Sequence, residues 1–168
     1  MLLASAICSC SEKQPETTEP MITKTEIQVE NGHFTPEIMH RLGKVGDVQV
    51  SPNHAKILYG VTYTSIEQNK GNRELYLMNV DGSENVKITN TPKSESNARW
   101  INDSQIIYMR SGKLYTATIE GSTLKNETEV AGAEGMESFE LSPGGDKLMF
   151  IKSVKAAQKP TDVYADLA

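Results

Sequence analysis

One pattern recurs three times along this chain of 168 residues, and it limits the fold more than any other feature. Each copy consists of a short strand-like segment, a turn rich in Ser, Pro, Asn, Asp or Gly, and an apolar segment typical of a second strand. The copies are VQVSPNHAKILY at 48–59, ARWINDSQIIY at 98–108 and FELSPGGDKLMF at 139–150. The pattern indicates a fold built from repeated units of β-structure.

The spacing of the copies is typical of the blades of a β-propeller. Lys56, Gln105 and Lys147 occupy matching positions, 49 and 42 residues apart, and propeller blades repeat every roughly 40 to 50 residues. A second unit recurs in step, as RELYLMNVDGS at 73–83 and GKLYTATIEGS at 112–122. Both place Leu-Tyr within a strand and end in an acidic residue, Gly and Ser, which is hairpin-turn chemistry.

We therefore predict an all-β fold, a partial β-propeller of about two and a half four-stranded antiparallel blades with a short N-terminal helix. The incomplete propeller covers 45–168, with blades at about 45–90, 96–131 and 137–168. The predicted strands are 45–50, 56–63, 73–80 and 85–89, then 97–101, 105–110, 113–119 and 127–131, then 137–141 and 147–154.

This number of blades is too small for a closed propeller. A blade has two apolar faces that its neighbours must cover, and a propeller closes only where its first and last blades meet. Two and a half blades leave apolar faces and strand edges open, which favours aggregation or pairing with another chain. We therefore expect the sequence to be a fragment of a longer protein.

The region before the repeats has three parts. Residues 1–10 are predicted to be an export signal that ends in a lipobox-like Ile-Cys-Ser-Cys, with Cys10 as the site of lipid attachment. Residues 11–21 have the composition of a polar linker. Residues 22–44 are predicted to hold a strand at 22–29 and a short helix, since Thr35 suits an N-cap, Pro36 the first helical position and Gly43 the helix end. These features predict an exported protein, periplasmic or anchored to the outer membrane of a bacterium.

The repeats and their flanks resemble a known family. The stretches GKVGDVQVSPNHAKILYGVTY, NKGNRELYLMNVDGS, KITNTPKSESNARW and LSPGGDKLMFIKSVK resemble the N-terminal propeller of secreted prolyl-oligopeptidase-family serine peptidases, such as dipeptidyl-peptidases and acylaminoacyl-peptidases. The units S-P-x-x-x-K and L-Y-x-x-N-x-D-G-S are shared with TolB-type propellers. The continuity of the resemblance, from about Thr35 to Asp166, favours the peptidase.

This resemblance implies partners that the chain itself does not contain. In that family the propeller covers a C-terminal α/β-hydrolase domain and restricts access to unstructured peptides. The hydrolase domain carries a Ser in a G-x-S-x-G elbow, followed by Asp and His. This sequence has no such elbow, because Gly82-Ser83 and Gly121-Ser122 lie in predicted hairpin turns without the flanking pattern. The implied partners are the remaining blades, the hydrolase domain and peptide substrates, and the chain is expected to be inactive alone.

The residue types of a catalytic, metal or nucleic-acid site are poorly represented. His54 lies in a predicted turn, and Pro36 separates His33 from His40, so neither a triad base nor a metal pair is indicated. Net charge of -5 without a basic stripe argues against nucleic acid. No cofactor is predicted. Other groups are read as solvated or structural: Glu134, Glu137 and Glu140 as a solvated face; Asp81, Asp103 and Asp146 as turn formers; Tyr59, Tyr63, Tyr76, Tyr108 and Tyr115 as strand residues that pack between blades.

The most exposed candidate for a partner or substrate contact is Asn72-Arg73-Glu74, which follows a polar loop at 65–71. The simpler interpretation is a charged strand start beside that loop. Two functions remain open for the whole chain: the substrate-gating propeller portion of an exported serine peptidase, or a TolB-like propeller lipoprotein that binds a periplasmic partner. The sequence downstream of residue 168 distinguishes them.

Overall fold

The computed structural model describes residues 21–154. Cys10, the predicted signal segment and residues 155–168 of the predicted third blade lie outside the described residues. The described chain is all-β with little helix and contains three antiparallel sheets of four, four and two strands. The elements are α1 (Pro36–Arg41), β1 (Lys44–Val50), β2 (Lys56–Ser65), β3 (Lys70–Asn79), β4 (Val86–Lys87), β5 (Glu95–Trp100), β6 (Gln105–Arg110), β7 (Lys113–Glu120), β8 (Thr123–Glu129), β9 (Met136–Leu141) and β10 (Leu148–Lys152), with a single 3-10 turn at Glu30–Gly32.

The strands follow one another in space in the order of the chain. The first sheet has the order β1-β2-β3-β4, the second β5-β6-β7-β8, and β9 pairs with β10 in the third. This is the predicted count of two four-stranded units and one half. Within the described residues the sheets form no closed ring, so the propeller itself stays a prediction, as do the domain boundaries.

The predicted helix forms, and the predicted strand before it does not. Thr35 accepts a hydrogen bond from the backbone N–H of Ile38 at 3.3 Å, and Pro36 occupies the first turn, as capping chemistry requires. Residues 21–29 have neither helix nor strand, so the strand predicted at 22–29 is wrong. A strand needs a neighbouring strand to pair with, and alternating residue types in the sequence do not supply one. Among the described residues β1 pairs with β2 alone, so residues 22–29 add no strand to this sheet.

The three copies of the repeat build similar turns, and the turn of the second copy is one residue shorter. In each, the residue that follows the first strand donates its backbone N–H to the carbonyl of a residue at or just before the start of the second: Ser51 to Lys56 at 2.8 Å, Ile101 to Gln105 at 2.8 Å and Ser142 to Lys147 at 2.9 Å. In the two Ser-Pro copies the Ser hydroxyl also accepts the N–H of the Lys, at 2.9 Å and 3.0 Å. The matching of Lys56, Gln105 and Lys147 is confirmed as structural equivalence.

The first strands of the two complete sheets carry the same irregularity. The register shifts between Gly46 and Gln49 in β1 and between Ser96 and Arg99 in β5. At these bulges Asp47 and Asn97 adopt positive φ, 52° and 53°. Such conformations suit Asp and Asn better than other residues with a side chain. The bulge is a property of the repeat.

The sheets pack face to face, with the second in the middle. Alternate residues of β6 point to opposite sides: Ile106 and Tyr108 lie in a cluster with Leu58, Leu75 and Leu77 of the first sheet, whereas Ile107 and Met109 lie in a cluster with Met136 and Phe139 of the third. All four β6 residues are buried. The sole Trp, Trp100, belongs to the first cluster and donates its indole N–H to the carbonyl of Gln49 at 3.3 Å.

The outer faces of the stack expose apolar side chains, although α1 packs against part of β2, where Val61 is buried. Val45 and Val48 of the first sheet are 64% and 57% exposed, and Met149 and Ile151 of β10 are 65% and 57% exposed. The register of β10 with β9 places Met149 and Ile151 on the side opposite Leu148, which packs against the second sheet. The two end sheets thus present apolar surface of the kind that an adjacent blade covers. No helix among residues 21–154 is long and apolar enough to cross a membrane.

Candidate functional site

The histidines and the predicted acidic face lie at the surface. His33 and His54 are exposed and His40 is half-buried on α1. Residues 21–154 contain no group of three or more His, Cys, Asp or Glu residues arranged to hold a metal ion. Glu134, Glu137 and Glu140 are exposed, and Glu140 pairs with Arg99 of the second sheet at 3.1 Å. The ion pair of Glu140 with Arg99 joins the second and third sheets.

The tyrosines of the repeat form one stacked pair in each complete sheet. Tyr59 and Tyr76 are direct cross-strand partners with ring centroids 5.6 Å apart, and Tyr108 and Tyr115 repeat the arrangement at 6.0 Å. The stacking therefore lies within each sheet, across its two central strands. Tyr108 additionally belongs to the apolar cluster between the first two sheets.

The prediction that Asn72-Arg73-Glu74 is the most exposed contact segment is wrong. Asn72 and Glu74 are only 3% and 2% exposed. The hairpin of β2 and β3 pairs as far as Ser65 with Lys70, so the loop predicted at 65–71 is a short turn and these residues lie inside the ladder. The chain between the first two sheets then covers Glu74, whose carboxylate accepts the backbone N–H of Thr91 at 3.1 Å.

Of these three residues, Glu74 belongs to a polar junction, defined here as Glu74, Thr89, Thr91, Glu95 and Arg110, in which Glu74, Thr89 and Glu95 are buried. Glu74 lies on β3, the two threonines on the connection between the sheets, Glu95 at the start of β5 and Arg110 at the end of β6. The Thr89 hydroxyl lies 2.7 Å from Glu74 Oε2 and 3.1 Å from Glu95 Oε2. One hydroxyl thus joins carboxylates of two sheets.

Glu95 is completely buried, at 0% exposure. Its Oε1 lies 2.7 Å from the Thr91 hydroxyl and 3.5 Å from Arg110 Nη1. Burial and the nearby charge of Glu74 raise the pKa of Glu95 to about 7, against the lowering effect of Thr91, Thr89 and Arg110. Loss of hydration penalises the charged form of a buried carboxyl, which is why burial dominates.

Arg110 extends the junction to the outer strand of the second sheet. Its guanidinium binds the carboxylate of Glu127 on β8 through both Nη atoms and lies 4.3 Å from the ring centroid of Tyr115. The Tyr108 hydroxyl donates to the same carboxylate. Burial raises the pKa of Glu127, but the bonds from Arg110 and Tyr108 outweigh it and hold that pKa below its ordinary value. Arg110 therefore already has a full counter-charge.

Two surface cavities lie beside the first two sheets, and one of them is lined by residues of the junction. One, of about 380 Å³, lies between the Ile88–Thr91 connection and the start of β8, with Arg110 and Glu127 in its lining. The other, of about 530 Å³, lies between residues 21–25, α1 and the β2–β3 turn, and is lined in part by Arg41 and Tyr63. Both fall in the size range of small-ligand pockets.

The described residues do not assemble hydrolytic chemistry. A serine nucleophile needs a hydrogen-bonded base that a carboxylate orients. Ser83 bonds to Asp81 and Ser122 to Glu84, and none of the three histidines is hydrogen-bonded to a serine hydroxyl in residues 21–154. What the site does instead is connect two sheets through charged and hydroxyl groups.

Sequence reasoning missed Glu95, Arg110 and Glu127. Glu95 stands in TPKSESN, a polar stretch typical of a loop, and its burial depends on three segments far apart in the chain. The available signal was the repeat itself, which predicts a second sheet packed against the connection that follows the first.

No family model matches the chain. It is similar to dipeptidyl-peptidase 5 of Porphyromonas gingivalis, with 29% identity over 138 residues, 80% of this chain and 20% of that protein. Dipeptidyl-peptidase 5 of Porphyromonas endodontalis is 26% identical over 148 residues, 85% of this chain and 21% of that protein. The chain thus spans about a fifth of the length of these curated relatives. Over about 80% of its length it is homologous, at low identity, to a dipeptidyl-peptidase of the prolyl-oligopeptidase family, which supports a peptidase-family relationship.

Proposed function

We propose that this chain is the substrate-gating propeller portion of an exported serine peptidase that acts on peptides. The serine, aspartate and histidine of catalysis belong to an α/β-hydrolase domain outside these residues. The observation that carries the proposal is the homology to dipeptidyl-peptidase 5 over about 80% of the chain but only a fifth of the relatives. The chain's function is then to form part of a wall that admits peptides by size.

The packing of the sheets supports this role. The second sheet is covered on both faces, whereas the first and third expose valines, Met149 and Ile151 on their outer faces. Further blades would bury this surface and extend the stack towards a closed ring. A ring of blades restricts access to peptides most effectively when neighbouring blades stay in contact. The charged junction and two apolar clusters hold these three sheets together.

Peptide hydrolysis tests the proposal directly. The 168-residue chain and the product of the whole reading frame that contains it are compared on dipeptidyl and longer peptide substrates. We expect no turnover by the chain, and turnover by the whole product that a serine-directed phosphonate or sulfonyl fluoride abolishes. Turnover by the chain alone, or a reading frame without a G-x-S-x-G elbow, Asp and His, overturns it.

Export and anchoring are part of the same proposal. We propose that Cys10 carries a lipid that tethers the protein to a bacterial membrane facing the periplasm. Labelling of cells with an alkynyl fatty acid tests this, with Cys10→Ala and Cys8→Ala as matched variants. Label that is lost in Cys10→Ala and kept in Cys8→Ala supports the anchor, and label that both variants keep contradicts it.

A TolB-like lipoprotein that binds a periplasmic protein is the second candidate. The observation in its favour is the turn that Ser51 and Ser142 build in the same way, because this S-P-x-x-x-K turn belongs to the blade and not to a hydrolase domain. Downstream sequence separates the candidates. Further blades followed by a stop codon favour the binding module, whereas a nucleophile elbow favours the peptidase.

A further inference from the structure

We propose that Glu74 and Glu95 hold one proton between them at the junction of the first two sheets, and that loss of this proton as the pH rises loosens the junction. This goes beyond the gating role, since it gives the contact between two blades a dependence on pH. It holds whether the chain belongs to a peptidase or to a binding module.

Counting hydroxyl protons supports the shared proton. Thr89 Oγ1 accepts the backbone N–H of Leu75 at 2.8 Å and faces two carboxylate oxygens, Glu74 Oε2 at 2.7 Å and Glu95 Oε2 at 3.1 Å. A hydroxyl has one proton and can donate it to only one of them. The shorter distance assigns it to Glu74, which leaves Glu95 Oε2 without a donor there.

Thr91, like Thr89, faces more acceptor oxygens than its single hydroxyl proton can bind. Thr91 Oγ1 accepts the N–H of Lys93 at 3.2 Å and faces the carbonyl of Lys93 at 2.6 Å and Glu95 Oε1 at 2.7 Å. Its single proton can go to only one of these two acceptors. Two hydroxyl protons thus face four acceptor oxygens, and a proton on Glu95 gives the cluster a third donor.

Glu74 is the member of the pair with more hydrogen-bond donors. Its carboxylate accepts three hydrogen bonds, from the Asn72 side-chain amide at 3.1 Å, the Thr91 N–H at 3.1 Å and the Thr89 hydroxyl at 2.7 Å. These donors satisfy the Glu74 carboxylate, so the proton of the pair is placed on Glu95. Thr89 Oγ1 contacts one oxygen of each carboxylate, so these two oxygens are separated by no more than the sum of the two contact distances. Negative charges on both buried carboxylates therefore repel each other.

The charged groups around Glu95 come from three strands. Glu74 of β3 opposes its ionisation, and the charge of Glu95, like that of Glu127 on β8, raises the pKa of the Tyr108 hydroxyl on β6. Arg110 of β6 favours ionisation, but its Nη1 lies 3.5 Å away and the guanidinium is bound to Glu127. The proton is therefore held until the pH approaches neutrality.

The direction of the effect follows from linkage. Burial raises the pKa of Glu95 from 4.5 to about 7, so between these values the folded state binds more protons than the unfolded state. Stability is therefore highest near the lower value and falls as the pH rises towards and through the upper one. Raising the pH from 5.5 to 8 is expected to weaken the contact between the first two sheets.

Trp100 reports on this contact, because it is the only Trp and lies in the cluster between the two sheets. The full 168-residue chain is melted at pH values from 5.5 to 8 with Trp fluorescence as the signal. We expect the melting temperature to fall as the pH rises from 5.5 and to level off above about pH 7. Glu95→Gln, whose amide donates as the protonated carboxyl does, is expected to remove this fall and to melt above the wild type at pH 8.

Glu120→Gln, a change at an exposed carboxylate at the end of β7, is the control and keeps the fall. An unchanged melting temperature in the wild type, or the same fall in Glu95→Gln, overturns the proposal. Should Glu95→Gln fail to fold, the side-chain carboxyl ¹³C signal of Glu95 in the wild-type chain decides. Titration near pH 7 supports the shared proton, and titration below pH 5 overturns it.

Discussion

Gly60 on β2 lies beneath the guanidinium of Arg73 on β3. A Cβ built on Gly60 would overlap the Arg73 guanidinium, and one on Gly46, the cross-strand partner of Gly60, would lie 3.2 Å from Arg73 Nη2. The two glycines thus form a trough that leads the arginine to Asp47, whose Oδ2 lies 2.8 Å from Nη2. Asp47 is the residue of the β1 bulge with positive φ.

We expect Gly60→Ala to displace Arg73 and to break its ion pair with Asp47. The free energy of unfolding should fall by about 1 to 2 kcal/mol. Urea denaturation of Gly60→Ala, Arg73→Ala and the double variant measures the coupling. In the Arg73→Ala background the methyl group has no guanidinium to displace, so Gly60→Ala should cost little or stabilise the strand. Equal costs in both backgrounds would show that the trough does not exist.

Asn97, at the equivalent bulge of β5, joins the second and third sheets. Its side-chain amide donates to the carbonyl of Phe139 at 2.8 Å, and its φ is 53°. Asn97→Gly keeps the backbone conformation and loses the bond, which should cost about 1 to 3 kcal/mol because the carbonyl is left unsatisfied. Asn97→Ala should cost about 1 kcal/mol more, since its Cβ is strained at positive φ. Equal unfolding free energies for the two variants would contradict the strain.

A pair of isoleucines tests which sheet faces are covered. Ile106 is fully buried between the first two sheets, and Ile151 is 57% exposed on the outer face of the third. In the 168-residue chain Ile106→Ala should cost about 2 to 5 kcal/mol and Ile151→Ala less than about 0.5 kcal/mol. In the product of the whole reading frame the cost of Ile151→Ala should rise to the range of a core residue. A cost that stays small there argues against a fourth blade packed on β10.

Local chemistry explains which parts of the fold were predictable. The Ser-Pro turns and the Thr35 cap form hydrogen bonds within five residues of themselves, so their sequences carry the information directly. The strand count follows from the same repeat. The error at 22–29 has the opposite cause, because a strand needs a partner and a short sequence does not show whether one exists.

The junction could not be predicted for a related reason. Asn72-Arg73-Glu74 looks like an exposed charged segment in sequence, yet its burial comes from Thr89, Thr91 and Glu95, which are supplied by the connection to the next sheet. Charged residues are rarely buried unless paired. Here the partners lie 15 residues or more away in the chain, as for Thr89 with Glu74, and only the packing of two sheets reveals them.

The ion pair of Glu127 with Arg110 should stabilise the second sheet in the opposite pH direction to Glu95. The pKa of Glu127 lies below its ordinary value of 4.5 in the folded state, so this contribution is fully present above that value and is lost as the pH falls through the folded pKa. Glu127→Gln should therefore lower the unfolding free energy at pH 7 by about 1 to 3 kcal/mol, and the difference from the wild type should shrink as the pH falls below 4.5.

Glu129→Gln is the matched control for this change, since Glu129 lies on the same strand, β8, and pairs with the exposed Lys113 of β7. An exposed pair contributes less than about 1 kcal/mol. Glu127→Gln should have a second effect, because Arg110 without Glu127 is free to neutralise Glu95. The fall in melting temperature should then end at lower pH, because a nearby positive charge favours the charged form of Glu95. A fall that ends at the same pH as in the wild type, measured by Trp100 fluorescence, would show that Arg110 does not couple the two carboxylates.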